Sequence, residues 1–189
     1  MKAVQIDRYS KDIKAEVREV PKPEVGEGEV LVKVMASAVN PLELLIMTGA
    51  VKLIAGYRFP LTLGNECAGI VEKVGTKVRN FSVGDKVYAR LPVGKIGALA
   101  EYAAIREDAV AKMPEGYDFD TAAAIPLTGL TAYQAITEEL SAKPGESLFI
   151  PGGIGQLWPD GCTYCKITWI KGNRFGQRKG RKFHSRGGR

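Results

Sequence analysis

The pattern of apolar and polar residues divides the chain into a β-type part and a helical part. Valines stand at every second position of residues 30–34, which is typical of a partly buried strand. The apolar runs at residues 67–74 and 86–89 predict further short strands, and turn signals containing glycine lie between the runs. Residues 1–110 are therefore expected to form a small β-barrel rather than a helical bundle.

The period changes near residue 120, where the pattern becomes helical. Asp118 or Asp120 can cap the start of a helix that extends to about residue 140. Pro126 is expected to bend or break this helix, because proline removes a backbone donor and clashes with the preceding turn. The residues expected on its apolar face are Ala122, Ile125, Gly129, Tyr133 and Ile136.

A short apolar strand at residues 147–150 runs directly into a glycine-rich turn that contains Gly152, Gly153 and Gly155. A strand followed by such a turn is how a dinucleotide-binding fold begins, because glycine lets a phosphate approach the backbone. No helical pattern follows the turn in this chain. An ordinary glycine-rich turn therefore remains the alternative interpretation.

The charge is distributed unevenly along the chain. Residues 1–155 contain 18 Lys or Arg and 20 Asp or Glu, whereas residues 156–189 contain nine basic residues and one acid, Asp160. Both tryptophans, the only histidine and two of the three cysteines also lie after Gly155. Two different compositions thus meet near that residue.

The remaining composition favours a cytoplasmic protein. Three cysteines do not make a disulfide framework. No run of about 18 apolar residues predicts a membrane span, and the charged first residues do not resemble a secretion signal.

Four segments together resemble the medium-chain dehydrogenase/reductase superfamily in its zinc-independent, quinone-oxidoreductase-like branch. They are residues 38–41 (AVNP), 63–71 (LGNECAGIV), 81–87 (FSVGDKV) and 126–133 (PLTGLTAY). The resemblance implies a mostly β GroES-like barrel over residues 1–120 and the truncated start of a Rossmann α/β domain over residues 121–155. Residues 156–189 would form an aberrant basic tail, expected to be disordered.

The zinc branch of this superfamily has a cysteine where this chain has Val39 or Asn40, and a histidine where it has Asn65. A catalytic zinc needs about three side-chain ligands, so no metal is expected in residues 1–155. Asn65 and Glu66 are expected to buttress a barrel loop, and Cys67 to be a small buried residue. Glu43 is expected to be solvated or salt-bridged.

The resemblance implies NADPH as cofactor and hydride transfer to a small quinone or enone. Asn40, Thr131 and Tyr57 would line the substrate and nicotinamide pocket, and Gly152, Gly153 and Gly155 would bind the cofactor phosphates. Thr131 has an alternative role, in which its hydroxyl bonds back to its own helix. The family often pairs through the sheet edge, so the intact form is a possible homodimer.

The sequence after Gly155 has the properties of a shifted reading frame. One choice among the synonymous codons for residue 156 onward, read one base later, translates as NFGQMAVPIAKLLGLKVTVSG, which has the helix and strand that the family would supply at this point. The observed tail therefore predicts the loss of the second Rossmann strand, exposure of apolar surface, and a chain that is catalytically inactive.

Two other classes of function remain open. The barrel could act as a non-catalytic GroES-like binding module. The tail interleaves aromatic and basic residues, which could contact nucleic acid without sequence specificity. Cys162, Cys165 and His184 would be a zinc knuckle only with a fourth ligand at standard spacing, which the tail lacks.

Overall fold

The computed structural model describes residues 1–151, 171–178 and 181–185. The chain divides into two compact units, Met1–Pro126 and Leu127–Arg189. Across the described ranges, no helix is both long and apolar enough to cross a membrane.

The first unit is built from antiparallel strands. Its strands and helices are β1 (Lys2–Ile6), β2 (Glu16–Glu19), β3 (Glu29–Ser37), α1 (Pro41–Thr48), β4 (Leu61–Thr62), β5 (Glu66–Val74), β6 (Lys86–Arg90), β7 (Tyr102–Arg106), a 3₁₀ turn (Glu107–Ala109), β8 (Val110–Lys112) and α2 (Phe119–Ala123). Five strands form a sheet in the order β7-β3-β5-β6-β8, and a smaller sheet has the order β2-β1-β4. The predicted β-barrel architecture of residues 1–110 is confirmed, with strands at each of the three predicted positions.

The central strand pair β3 and β5 carries the larger core. Val30 and Val32 are fully buried, as is Val71 on β5, within a cluster that also takes in residues of β6 and β7. The register shifts twice between β3 and β5, and such irregularities bend a strand and increase its twist. Gly69 lies at this pair, where an added Cβ would stand 2.1 Å from the carbonyl oxygen of Lys33. The sheet can therefore curl here only because residue 69 has no side chain.

A second core forms under α1. Ile46 and Met47 of this helix pack with Ile6, Leu61 and Leu63, and Tyr57 lies against the same cluster. The helix ends at Gly49, which has a φ of 77° and whose N–H donates to the carbonyl oxygen of Ile46. Glycine takes this left-handed conformation without a Cβ clash, so the helix stops where the sequence permits it.

The predicted break at Pro126 is confirmed. Helix α2 ends at Ala123, and α3 (Pro126–Gln134) follows and continues as a π-helical turn (Ala135–Glu139). Asp118 caps α2, since its Oδ1 accepts from the Thr121 N–H at 2.8 Å. The predicted apolar face is wrong at Tyr133, which is 46% exposed.

The buried positions of α3 and its π-helical extension are Pro126, Thr128, Ala132 and Ile136, of which the last three are spaced four residues apart. The interruption at Pro126 makes α3 a new helix. Its buried face therefore cannot be extrapolated from the positions that α2 buries.

The second unit contains three strands: β9 (Ser147–Pro151), β10 (Lys171–Arg178) and β11 (Arg181–Ser185). Strand β10 pairs in parallel with β9 and antiparallel with β11. We expected residues 156–189 to be disordered and the second Rossmann strand to be lost. The structure corrects both expectations for residues 171–178 and 181–185, because backbone hydrogen bonds form a ladder whatever the side chains are.

Candidate functional site

The site begins at the first turn of α1, which carries an Asn40–Glu43 capping box. The Glu43 carboxylate reaches back, and its Oε2 accepts from the Asn40 backbone N–H at 2.6 Å. Pro41 occupies the first helical position, where its missing N–H costs nothing. The sequence Asn-Pro-Leu-Glu thus starts the helix and brings both polar side chains to one end of it.

Two amide–carboxylate hydrogen bonds join this helix end to the start of β5. Asn40 Nδ2 donates to Glu66 Oε1 at 2.6 Å, and Asn65 Nδ2 donates to Glu43 Oε1 at 2.6 Å. All four side chains are at least 96% buried. We call this set, Asn40, Glu43, Asn65 and Glu66, the polar cluster. The prediction that Asn65 and Glu66 support a barrel loop is confirmed.

Glu43 corrects one expectation from the sequence. It was predicted to be solvated or salt-bridged, but it is 3% exposed and accepts hydrogen bonds from Asn40 and Asn65. The helix turns Glu43 inward because the capping box requires its carboxylate at the helix N-terminus. A capping-box pattern of Asn followed three residues later by Glu was the sequence signal that could have identified this.

Arg90 also belongs to this region, although sequence reasoning did not select it. It is the residue directly opposite Glu66 in the antiparallel pairing of β5 and β6, so the two side chains share one face of the sheet. Burial lowers the pKa of the half-buried guanidinium, while the charges of Tyr57, Glu66 and Glu43 act in the opposite direction. The positive charge of Arg90 therefore lies within electrostatic range of the polar cluster.

Tyr57 lies beside this region. Its backbone N–H donates to the hydroxyl of Tyr9 at 2.9 Å, which holds the loop before β4 against the second core. Burial is the main cause that raises the pKa of the Tyr57 phenol, and the charge of Arg90 opposes it. The phenol is therefore neutral at physiological pH and can donate a hydrogen bond.

Thr131 lies in the second compact unit, on α3. Its hydroxyl donates to the carbonyl oxygen of Leu127 at 2.7 Å, which is the back-bonded arrangement weighed from the sequence. Gly152, Gly153 and Gly155 lie outside the described residues. Of the predicted site residues, the structure thus brings Asn40 close to Glu66 and Tyr57 near Arg90 within the first unit.

Cys67 is buried at 1% exposure, next to Glu66 in β5. Burial, with a smaller contribution from the charge of Glu66, raises the pKa of its thiol to about 12. A thiol with that pKa is almost entirely protonated near neutral pH, so it is a poor nucleophile. The prediction that Cys67 is a small buried residue is confirmed.

No cluster of three or more His, Cys, Asp or Glu side chains suited to a metal occurs among the residues that the structure describes. The polar cluster contains only two carboxylates, and its other two members are amides. It therefore offers no thiolate or imidazole, which are the side chains that hold most zinc ions in proteins.

Comparison with known proteins places this architecture in a family. Residues 26–115 match the model of the alcohol dehydrogenase GroES-like domain. The quinone oxidoreductase of Lama guanicoe is 37% identical over 152 residues, which are 80% of this chain and 44% of that protein. The human quinone oxidoreductase is 34% identical over the same shares of both chains.

Solved structures agree with the sequence matches. An alcohol dehydrogenase superfamily protein from Novosphingobium aromaticivorans superposes with a TM-score of 0.87 at 26% identity, over 94% of this chain and 54% of that chain. The Escherichia coli quinone oxidoreductase in complex with NADPH superposes with a TM-score of 0.79 at 26% identity, over 91% of this chain and 51% of that one.

The GroES-like sheet and these matches define the class of protein as a medium-chain dehydrogenase/reductase. Within that superfamily, the chain belongs to the quinone-oxidoreductase-like branch. The chain spans about half the length of the relatives that it matches.

Proposed function

We propose that the intact protein is an NADPH-dependent reductase of small quinones or conjugated carbonyl compounds, and that the chain with the observed tail is inactive. The observation that carries this proposal is the match to quinone oxidoreductases over 80% of the chain. An NADPH complex of a quinone oxidoreductase that superposes at a TM-score of 0.79 supports the choice of cofactor. The substrate class is inferred from the relatives, and the residue roles from the site.

The topology of the second unit fits the start of a dinucleotide-binding domain. Strands β9 and β10 are parallel, and residues 152–170 connect them, which is enough chain for a crossover. Gly152, Gly153 and Gly155 would hold the cofactor phosphates at the start of this connection. Bound NADPH would supply a hydride to the conjugated substrate.

Three side chains would act at the substrate end. The neutral phenol of Tyr57 can donate a hydrogen bond to a carbonyl oxygen. The Asn40 amide is held in one orientation by its bond to Glu66, and its second N–H remains available as a donor. The Thr131 hydroxyl gives its proton to Leu127, so it would act as an acceptor unless it rotates.

The shifted-frame hypothesis explains why the tail would abolish this function. In the alternative reading, the strand-forming run KVTVSG falls at positions 171–176, where the structure has β10 at Lys171–Arg178. The observed residues at those positions are KGNRFG, which offer one apolar side chain and no acid to bind a ribose. The position of the strand thus agrees with the family, while its residues do not.

The test compares the 189-residue chain with a chain whose frame is restored at codon 155. NADPH binding is measured by cofactor fluorescence, and quinone reduction by loss of NADPH absorbance with a naphthoquinone. We expect neither property in the first chain and both in the second.

Micromolar NADPH binding by the 189-residue chain would contradict the loss of the cofactor site. A restored chain that binds NADPH but reduces neither quinones nor enones would contradict the substrate class, while leaving the frame hypothesis intact.

A further inference from the structure

The guanidinium of Arg90 is half-buried, and its N–H donors are unused. Among the residues that the structure describes, it makes no hydrogen bond and no ion pair, and its interactions with Tyr57, Glu66 and Glu43 act through charge at a distance. Arginine carries five N–H donors in a planar fork and has no acceptor atom. Partial burial of such a group without an acceptor costs free energy, while its exposed part leaves it open to a ligand. The position therefore favours an oxygen acceptor that comes from outside this part of the chain.

Alternation along β6 fixes the direction in which Arg90 leaves the sheet. Val87 and Ala89 belong to the larger core, so Arg90, one residue further on, leaves from the opposite face. Glu66 shares that face, because it is the partner of Arg90 in the pairing of β5 with β6. The guanidinium is thus carried on a paired strand, which positions a side chain more precisely than a loop does.

The phenol of Tyr57 is a second unused donor in this region. It is half-buried, and within the described ranges its hydroxyl makes no hydrogen bond. After burial, which is the main cause, the charge of Arg90 has the largest effect on the pKa of the phenol, and Tyr57 has the largest effect on the pKa of Arg90. The two groups are therefore neighbours that do not bond to each other, and both can donate to one further oxygen atom.

We propose that Arg90, together with Tyr57, donates to the carbonyl oxygen of the substrate and stabilises the negative charge that forms there during reduction. This inference rests on the proposed reductase function. When a conjugated carbonyl compound is reduced, the hydride forms a C–H bond at the β-carbon, and its two electrons come from the reduced nicotinamide. The C=C electron pair shifts toward the carbonyl group, whose oxygen takes the negative charge, and a proton from solvent then bonds to the α-carbon. Fixed donors at such an oxygen lower the barrier, because they need no reorganisation as the charge develops.

The alternative role for Arg90 is to offset the charge of the buried carboxyl groups beside it. Burial lowers the pKa of the guanidinium, while Tyr57, Glu66 and Glu43 act in the opposite direction, and an arginine side chain stays protonated in proteins. In that role, only the stability of the fold would depend on Arg90. In the proposed role, the chemistry at the carbonyl oxygen depends on it, so the two roles are separable by experiment.

The first experiment measures reduction of 2-cyclohexenone and of a naphthoquinone by the chain whose frame is restored at codon 155. Arg90→Gln removes the charge, and Arg90→Lys keeps the charge without the planar fork. Arg106→Gln is the matched control, because Arg106 also ends a strand of the same sheet but is exposed and paired with Asp108. We expect kcat to fall about 100-fold in Arg90→Gln and about tenfold in Arg90→Lys, and to stay within about twofold in Arg106→Gln. NADPH binding, measured by cofactor fluorescence, is expected to be unchanged in all three.

The second experiment does not depend on turnover. Infrared spectra are recorded for 2-cyclohexenone with a ¹³C-labelled carbonyl group, bound to the same chains with NADP⁺, which cannot supply a hydride. A charged donor weakens the C=O bond, so we expect a lower carbonyl stretching frequency with wild type and Arg106→Gln than with Arg90→Gln.

An equal kcat or an equal carbonyl frequency in wild type and Arg90→Gln would overturn the role of Arg90, and activity of the wild type would leave the reductase function intact. Lower stability of Arg90→Gln with both quantities unchanged would assign Arg90 to the alternative role. A wild-type restored chain that reduces neither substrate would contradict the reductase function, and the carbonyl frequencies would then decide the role of Arg90 by themselves. If Arg90→Gln does not fold, Arg90→Lys decides: wild-type values of kcat and of the carbonyl frequency would overturn the proposal, and a shift in both would support it.

Discussion

The unit Met1–Pro126 and the strands β10 and β11 differ in how well their sequences agree with their secondary structure. In the first unit, the buried valines of β3 coincide with the apolar alternation, and Gly69 lies where the backbones approach closely. In the second unit, β10 and β11 together contain only two apolar side chains, Phe175 and Phe183. The first unit thus combines an apolar pattern with burial of that pattern, whereas β10 and β11 form a strand ladder without an apolar pattern in their sequence.

The difference shows that strand position and strand sequence carry separate information. Backbone hydrogen bonds can pair β10 with β9 whatever the side chains are, but a two-stranded ladder by itself is only marginally stable. A native strand normally has both the backbone pairing and an apolar pattern that suits its place in the fold, because consistency between local and global preferences gives a stable fold. Strands β10 and β11 have the backbone pairing without the apolar pattern, which agrees with a shifted frame after Gly155.

The largest effect is expected from Gly69→Ala in the first unit. The new Cβ would meet the Lys33 carbonyl oxygen at 2.1 Å, so β3 and β5 would have to separate or shift. We expect a loss of more than about 3 kcal/mol or failure to fold, which exceeds ordinary overpacking. Gly28→Ala is the control, since nothing lies within 4 Å of its Cβ position. Urea denaturation measures both, and equal midpoints would contradict the close approach of these strands.

The next effect compares one truncation in each region. Ile105→Ala removes a side chain that is 1% exposed in the larger core, and we expect a loss of about 2–5 kcal/mol. Phe183→Ala in β11 is expected to change the unfolding free energy by less than about 0.5 kcal/mol, because the sequence of residues 171–185 has no alternating apolar pattern of the kind that forms a core. Denaturant unfolding followed by circular dichroism measures both. A comparable loss in the two variants would show that the tail has a true core.

The smallest effect concerns the two helix caps of the first unit. Asn40→Ala removes a cap and leaves the buried Glu66 carboxylate without its amide donor, so we expect a loss of about 1–3 kcal/mol. Asp118→Ala removes a cap that is exposed to solvent, and we expect a smaller loss. The urea midpoints of the two variants give the order. The reverse order would mean that the polar cluster contributes little to stability.

The strands of the barrel, the break at Pro126 and the change of composition near Gly155 could all be predicted without a structure. Each depends on short-range properties: alternation of apolar residues, the missing N–H of proline, and local charge. The four motif segments extended this to the superfamily, because their order along the chain could be read without a structure.

The polar cluster and the parallel pairing of β9 and β10 could not be predicted from the sequence, because both depend on contacts between residues far apart in the chain. Glu43 is close to Asn65 through folding alone, and Arg90 is opposite Glu66 only because β5 and β6 pair in that register. A charged residue in a sequence is expected at the surface, since an isolated charge is costly to bury. Its burial becomes favourable only when distant residues supply hydrogen bonds, and that arrangement is a property of the fold.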